Sequence, residues 1–239
     1  DVAQMFNQLC IKFKQDAAPA LDRALLPFLQ KCHSLMPVTG EVVQGDIPPH
    51  LLTEQLSIKK LTFTVLQHIV THRATVVLLS PSNSPSFESI MRTMSEGAIS
   101  VEDAVMKKTC IQFFQELVDQ WGEQVNGSIN GNSSIQQLFL QYICTSFGPG
   151  MIKCLLDPNF DEKDAMLSRC VVEFASVFWS FKARRGAEIF QQGIVMGCLQ
   201  SSGCPSNILA GFQAASNRIE MEVCMKEMVK VMKVKRSFS

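Results

Sequence analysis

The sequence has no excess of charge of either sign: 22 lysines and arginines face 22 aspartates and glutamates, for a formal net charge of +0 at pH 7. A global attraction to nucleic acid or to a membrane surface is excluded, so electrostatic binding has to come from local patches. No apolar run approaches the roughly 18 residues that a membrane span needs, and no signal-peptide pattern opens the chain, which predicts a soluble protein without membrane contact. The nine cysteines contain no C-x-x-C pair. Their odd number and their placement in apolar stretches (Cys10, Cys110, Cys144, Cys170, Cys224) fit reduced core thiols in a cytosolic or nuclear compartment better than a disulfide framework or a zinc ribbon. Strand candidates are nearly absent as well. ATVVLLS at 74–80 has strand-like composition but no partner strand, and reads as a short helix. A nucleotide-binding glycine loop, a nucleophile elbow and paired carboxylates are all missing, so neither an enzyme nor a cofactor is expected.

Helices fill the space those absences leave. An apolar fraction of 46% over 239 residues supplies a core. The residues Met106, Cys110, Phe113, Phe114, Leu117 and Trp121 fall on one stripe at 3.6 residues per turn, with Lys107, Lys108, Gln112, Gln115, Glu116, Asp119 and Gln120 assigned to the polar side. The Ser100-x-x-Asp103 pattern is expected to cap this helix at Ser100. Similar stripes predict helices over 2–14, 18–36 (kinked at Pro27), 51–70, 86–95, 135–147 and 167–186. Further stripes lie at 187–199, at 205–216 and in the Met-rich end, where Asn217 and Glu220 form a cap. Pro37 to Pro49 reads as a linker, 122–134 as a Gly- and Asn-rich loop, and GPG at 148–150 as a helix break. Gly186 is a natural left-handed stop.

The long helices centred near 61, 112, 173 and 225 recur at a spacing of roughly 50–60 residues, close to a two-helix repeat with loop insertions. The expected fold is therefore all-α, an α-α superhelix of HEAT-like hairpins, with a compact bundle as the alternative. One segment over 1–239 is expected, cut from a longer solenoid, since the chain opens on Asp1 almost in mid-helix.

Few motifs carry chemistry. His68 and His72 have i, i+4 spacing, yet lack the Glu and the third ligand that zinc requires. The Asp157, Asn159 and Asp161 series begins like a calcium loop, but Glu162 and Ser168 occupy its Gly and bidentate Glu positions, so a capping turn is the better reading. Two Asn-x-Ser patterns, at Asn126 and Asn132, carry no weight without a secretory signal. GIVMG at 193–197 reads as close helix packing. Basic clusters remain: Lys12 with Lys14, Lys59 with Lys60, Lys107 with Lys108, the group Lys182, Arg184 and Arg185, and the run Lys230, Lys233, Lys235 and Arg236. Any one of them could be a solvated helix face or helix end; together in a solenoid they could line a phosphate-binding surface.

Ordered similarity along the chain adds a further reading. The stretches FNQLCIKFKQDAAPALDRALLPFLQ (6–30), LQHIVTHRATVVLLSPSN (66–83), MKKTCIQFFQELVDQW (106–121) and CVVEFASVFWSFKARRGAEIFQQ (170–192) resemble the C-terminal region of the exportin-T family, in the importin-β (karyopherin) superfamily. The loop at 122–134 and the Met-rich end depart from it. The resemblance implies HEAT repeats of a shuttling receptor that wraps tRNA cooperatively with Ran in its GTP form and passes the nuclear pore by way of nucleoporins. It places the C-terminal arch against the tRNA and Ran chiefly on the N-terminal arch, absent from this stretch. A-form RNA has a deep, narrow major groove that side chains cannot read, so shape, phosphate and 2′-hydroxyl contacts dominate. Lys12, Lys14, Lys59, Lys60, Lys107, Lys108, Lys182, Arg184 and Arg185 are the candidate contacts. A HEAT-like protein-interaction scaffold with merely solvated lysines, or a karyopherin that carries protein cargo and binds no RNA, is the competing expectation.

Overall fold

Residues 2–35, 48–122 and 132–237 are described by the structure, a computed structural model. The linker expected over 37–49 and the loop over 122–134 fall mostly outside these residues, as do the side chains of Lys235 and Arg236. The described chain is all-α: α1 (Val2–Phe13), α2 (Ala18–Ser34), α3 (Pro49–Thr71), α4 (Val76–Leu79), α5 (Phe87–Ser100), α6 (Ala104–Trp121), α7 (Asn132–Tyr142), α8 (Gly148–Leu155), α9 (Ala165–Arg185), α10 (Ala187–Phe190), α11 (Ser206–Ala214) and α12 (Arg218–Ser237). None of the described helices is long and apolar enough to cross a membrane. The fold divides into two compact units, residues 1–93 and 94–239.

In the first unit α1 packs on α3, and α2 on α3 and α4. Ala3, Phe6 and Cys10 form the buried face of α1, and Leu21, Leu25, Leu29 and Cys32 that of α2. The rings of Phe6 and Phe28 lie 5.0 Å apart. Pro27 sits within a continuous α2. Asp22 ties α2 to the turn after α4: its carboxylate accepts from Ser80 Oγ and, at 2.9 Å, from Asn83 Nδ2. Because Asn83 is buried, this polar cluster supplies partners to groups that would otherwise be stranded from water. The expected short helix is present as α4. Between α1 and α2 the chain makes one 3₁₀ turn, Lys14–Ala17, which it enters with Lys14 at φ +48°. A left-handed conformation at a residue with a Cβ costs about 1–2 kcal/mol.

The second unit is a two-layered stack. Cys170 Sγ lies 3.6 Å from Ala104 O, Lys108 Nζ 3.4 Å from Glu173 Oε1, and Arg184 Nε 3.7 Å from Asp119 Oδ1. The contacts ascend together along both helices, so α6 and α9 are parallel neighbours. Parallel neighbours need a returning element between them, and residues 132–155 provide it. That returning layer pairs with residues 187–200 in the same sense, Cys144 against Gly193 and Gly148 against Cys198. Repeated hairpins stacked with like helices side by side make the HEAT-like arrangement. A phenylalanine ladder runs through both layers: Phe114–Phe147 at 3.9 Å, Phe147–Phe174 at 5.9 Å, Phe174–Phe178 at 4.6 Å and Phe178–Phe212 at 6.3 Å. Each of these fully buried rings contributes roughly 1.5–3 kcal/mol. At the end of the stack the order reverses, since the C-terminal part of α9 meets the entry to α12 while Lys233, late in α12, reaches Phe160 ahead of α9.

Three local expectations are corrected. Helix α6 is capped by Asp103, whose carboxylate accepts from Val105 N at 2.8 Å and Met106 N at 2.9 Å, while Ser100 closes α5. A carboxylate at the positive end of a helix is the stronger acceptor. GPG at 148–150 does not break the chain: a π-helical turn, Ile143–Phe147, leads directly into α8, with Gly148 N donating to Ile143 O. Pro149 falls in the first turn of α8, where its missing N–H costs nothing. The helix expected over 187–199 is one turn of α10 followed by a π-helical run, Gln191–Gln200. Its Gly193 has no room for a Cβ, which would lie 2.7 Å from Cys144 Sγ, in keeping with GIVMG as a packing motif. Gly186 does stop α9, at φ 86° and ψ 163°, a region essentially confined to glycine. The reciprocal cap on α12 is present too, with Glu220 N donating to Asn217 Oδ1 at 3.0 Å and Ser216 N donating to Glu220 Oε2 at 2.7 Å.

Candidate nucleic-acid interface

The candidate basic residues separate into two groups by what their side chains touch. In the first unit Lys12 and Lys14 are exposed at the end of α1, and Lys60 is exposed with Lys59 half-buried on α3. None of the four ammonium groups makes a hydrogen bond or ion pair to another described residue; Lys60 is engaged only through its backbone, where its carbonyl accepts from Thr64 Oγ1 at 2.8 Å. On α1, the 3₁₀ turn and α3 together, only Asp16 and Glu54 oppose these four lysines. On these three elements lysines therefore outnumber carboxylates four to two, although the chain as a whole is neutral.

In the second unit the candidates are mostly engaged. Lys107 is 4% exposed, and its ammonium donates to Ala98 O and Ile99 O at 2.9 Å each and lies 3.5 Å from Cys154 Sγ. It therefore caps the C-terminal end of α5 and does not stand on the polar face of α6. Lys182 plays the same part for α11: Nζ reaches Gln213 O and Ala215 O at 2.6 Å each and Phe212 O at 3.4 Å, above the Phe190 ring. Burial pushes its pKa down from the usual lysine range, with Cys224 and Glu220 opposing. Cations at helix C-termini satisfy carbonyls that have no partner within the helix and meet the negative end of its dipole. Lys107 and Lys182 are thus removed from the phosphate-contact set.

Lys108 pairs with Glu173 at 3.4 Å, Arg184 pairs with Asp119 at 3.7 Å, and the buried Nε of Arg185 finds no partner among the described residues. Lys233, in the final basic run, donates to Phe160 O and stands 5.3 Å over its ring. A signal for these two engaged lysines, Lys107 buried and Lys182 half-buried, was present. Lys107 heads the row Ile111, Phe114, Val118, and Lys182 ends the row Val171, Phe174, Phe178, all buried and at i, i+3/i+4 spacing. The polar sector of each helix is narrower than its charges suggest.

No metal site emerges among the described residues, where no group of three or more His, Cys, Asp and Glu side chains converges. The His68 and His72 rings stand edge to face at 5.6 Å, and burial followed by the charge of His72 lowers the pKa of His68. Asp157 Oδ1 accepts from Asn159 N and Asp161 Oδ1 from Lys163 N, two tight side-chain turns ahead of α9. All nine cysteines are free thiols. Burial pushes Cys10, Cys144 and Cys170 up to about 11 and Cys198 to about 12.

Comparison with known proteins gives these helices a family. The chain is 24% identical to Exportin-T of Aspergillus niger over 224 residues, covering 92% of this chain and 21% of that protein. It is also 24% identical to Exportin-T of Coprinopsis cinerea over 242 residues, covering 99% of this chain and 22% of the relative. To Exportin-T of Homo sapiens it is 24% identical over 187 residues, 78% of this chain and 18% of the relative. The chain thus spans about a fifth of the length of these relatives. No solved structure matches it. The family model for Exportin-T matches residues 2–235, nearly the whole length, and the chain belongs to the Exportin-T family.

Proposed function

We propose that this chain is the C-terminal HEAT-repeat segment of a karyopherin-type nuclear export receptor, one that carries folded tRNA by shape and phosphate contacts, cooperatively with Ran-GTP. The whole receptor shuttles between nucleus and cytoplasm and meets nucleoporins on the way. Ran is held chiefly by repeats outside this stretch. Membership of the Exportin-T family supports the receptor class. The observation that supports an RNA surface in this segment is the set Lys12, Lys14, Lys59 and Lys60, unpaired among the described residues and nearly unopposed by carboxylates. Lys108, Arg184 and Arg185 are secondary contacts, since two of them would have to leave their carboxylates to meet a phosphate.

A titration of labelled, folded tRNA at low and near-physiological salt, beside unstructured RNA of equal length, tests this reading. Preference for tRNA with a steep salt slope is the expected result, because each phosphate contact releases counterions. Leu51, Leu52 and Leu56, all exposed near the start of α3, favour a second reading as a protein-binding scaffold. Its sign is a protein complex whose affinity barely responds to salt, with no measurable affinity for RNA.

A further inference from the structure

The sequence Lys12-Phe13-Lys14 closes α1 and turns into the 3₁₀ segment, and its three side chains do not follow the usual division of labour. Phe13 is 55% exposed, although its residue type is normally buried, and it makes no ring contact with any described aromatic. Phe6 on the same helix, by contrast, is 2% exposed and packs on Phe28. Exposed, unpaired lysines flank Phe13 on both sides. The second, Lys14, is held at φ +48°, a conformation that side-chain-bearing residues adopt only when their surroundings impose it. A sharp corner therefore begins directly after the exposed ring, which belongs to the last residue of α1.

An exposed phenyl ring between two exposed cations matches the chemistry of a nucleotide better than that of a neutral partner. A base has an apolar face for the ring, and the phosphates on either side of it take the ammonium groups. We propose that Phe13 is a stacking platform for one unpaired base of a folded RNA, with Lys12 and Lys14 on the flanking phosphates. The proposal rests on the RNA-binding reading above and adds to it, since shape and phosphate contacts alone do not need an aromatic ring. Lys59 and Lys60, on the helix against which α1 packs, continue the phosphate contacts along the paired part of the RNA.

The test uses the full chain with two RNAs: a blunt hairpin closed by a minimal loop, and the same hairpin carrying a short unpaired 3′ extension with 2-aminopurine in place of one base. Phe13→Leu keeps an apolar side chain and removes the ring. It is expected to weaken binding of the extended RNA about tenfold, the size of one lost base–aromatic stack, with little effect on the blunt hairpin and an unchanged salt slope. The 2-aminopurine fluorescence is expected to fall on binding to the parent chain and to stay high with Phe13→Leu. The charge variant K12Q/K14Q is expected to weaken both RNAs and to flatten both slopes. Equal affinities and equal quenching for parent and Phe13→Leu overturn the stacking site while leaving the RNA surface standing. Absence of binding to either RNA by the parent chain overturns both.

Discussion

Lys107 and Lys108 are neighbours in sequence and opposites in structure. One is buried, with carbonyls and a thiol around its ammonium; the other lies at the surface beside Glu173. The same contrast holds between the units. The candidate lysines of residues 1–93 meet no described acceptor, whereas those of 94–239 close helix ends or join α6 to α9. Positive charge in a helical stack thus has two uses. It can satisfy the carbonyls that each helix leaves open, and it can wait for an anion from outside. Only the second use leaves a cation free to bind, so a count of basic residues overstates the binding surface.

Reversing the charge of the buried lysine breaks this comparison most strongly. Lys107→Glu places a carboxylate among Ala98 O, Ile99 O and the Cys154 thiol, and is expected to cost about 3–5 kcal/mol of stability, the scale for an uncompensated buried charge. Urea denaturation followed by circular dichroism reads that loss; a midpoint close to the parent's would show that Lys107 is solvated after all. Next in size is the combined variant K12E/K14E/K59E/K60E. It is expected to leave the urea midpoint nearly unchanged and to weaken tRNA binding about a hundredfold at low salt, with the slope of log K against log salt reduced by about 3, as four lost phosphate contacts imply. Loss of stability without loss of RNA affinity would reverse the assignments of the two units.

How far these roles were legible depends on what each residue had to report. The helices were legible because their stripes repeat: Met106 to Trp121 predicted α6, and Val171 to Phe181 predicted α9. Positive-φ Gly186 was legible because a glycine after a basic helix end has one common use. The cap at Asp103 was not, since Ser100 and Asp103 both fit a capping pattern and only the tertiary path decides where α5 ends. GPG misled because a π-helical turn ahead of a proline absorbs what an α-helix cannot. The lysines misled for a different reason. Their charge predicts solvent, but their long stems extend from apolar rows to carbonyls on another helix, and no spacing rule within one helix reports a partner on the next.

The stop at Gly186 gives a smaller effect confined to the end of α9. A Cβ added there meets nothing within 4 Å, so the cost of Gly186→Ala comes from the backbone alone, at φ 86°. About 1–3 kcal/mol is expected, read as a shift of the urea midpoint. Because the glycine precedes α10 and follows Arg184 and Arg185, a change in tRNA affinity larger than that shift explains would restore those two arginines to the primary interface.

The smallest effect sharpens the comparison where it began. Lys108→Ala removes a pair whose lysine is 30% exposed, at 3.4 Å and screened by solvent and salt. Exposed pairs of this kind contribute from nothing to about 1 kcal/mol. Glu173 keeps a hydrogen bond from Gln112 Nε2 at 3.1 Å, so it is not left unpaired when Lys108 goes, and the lower part of that range is expected. Measured in low salt and again in high salt, the difference between Lys108→Ala and the parent chain is expected to shrink, while the difference between Lys107→Ala and the parent persists, because the carbonyls it leaves open are out of reach of dissolved ions. Two adjacent lysines on one helix would then differ both in the size of their contribution and in its response to salt, and the salt response is what separates a cation built into the fold from one held at its surface.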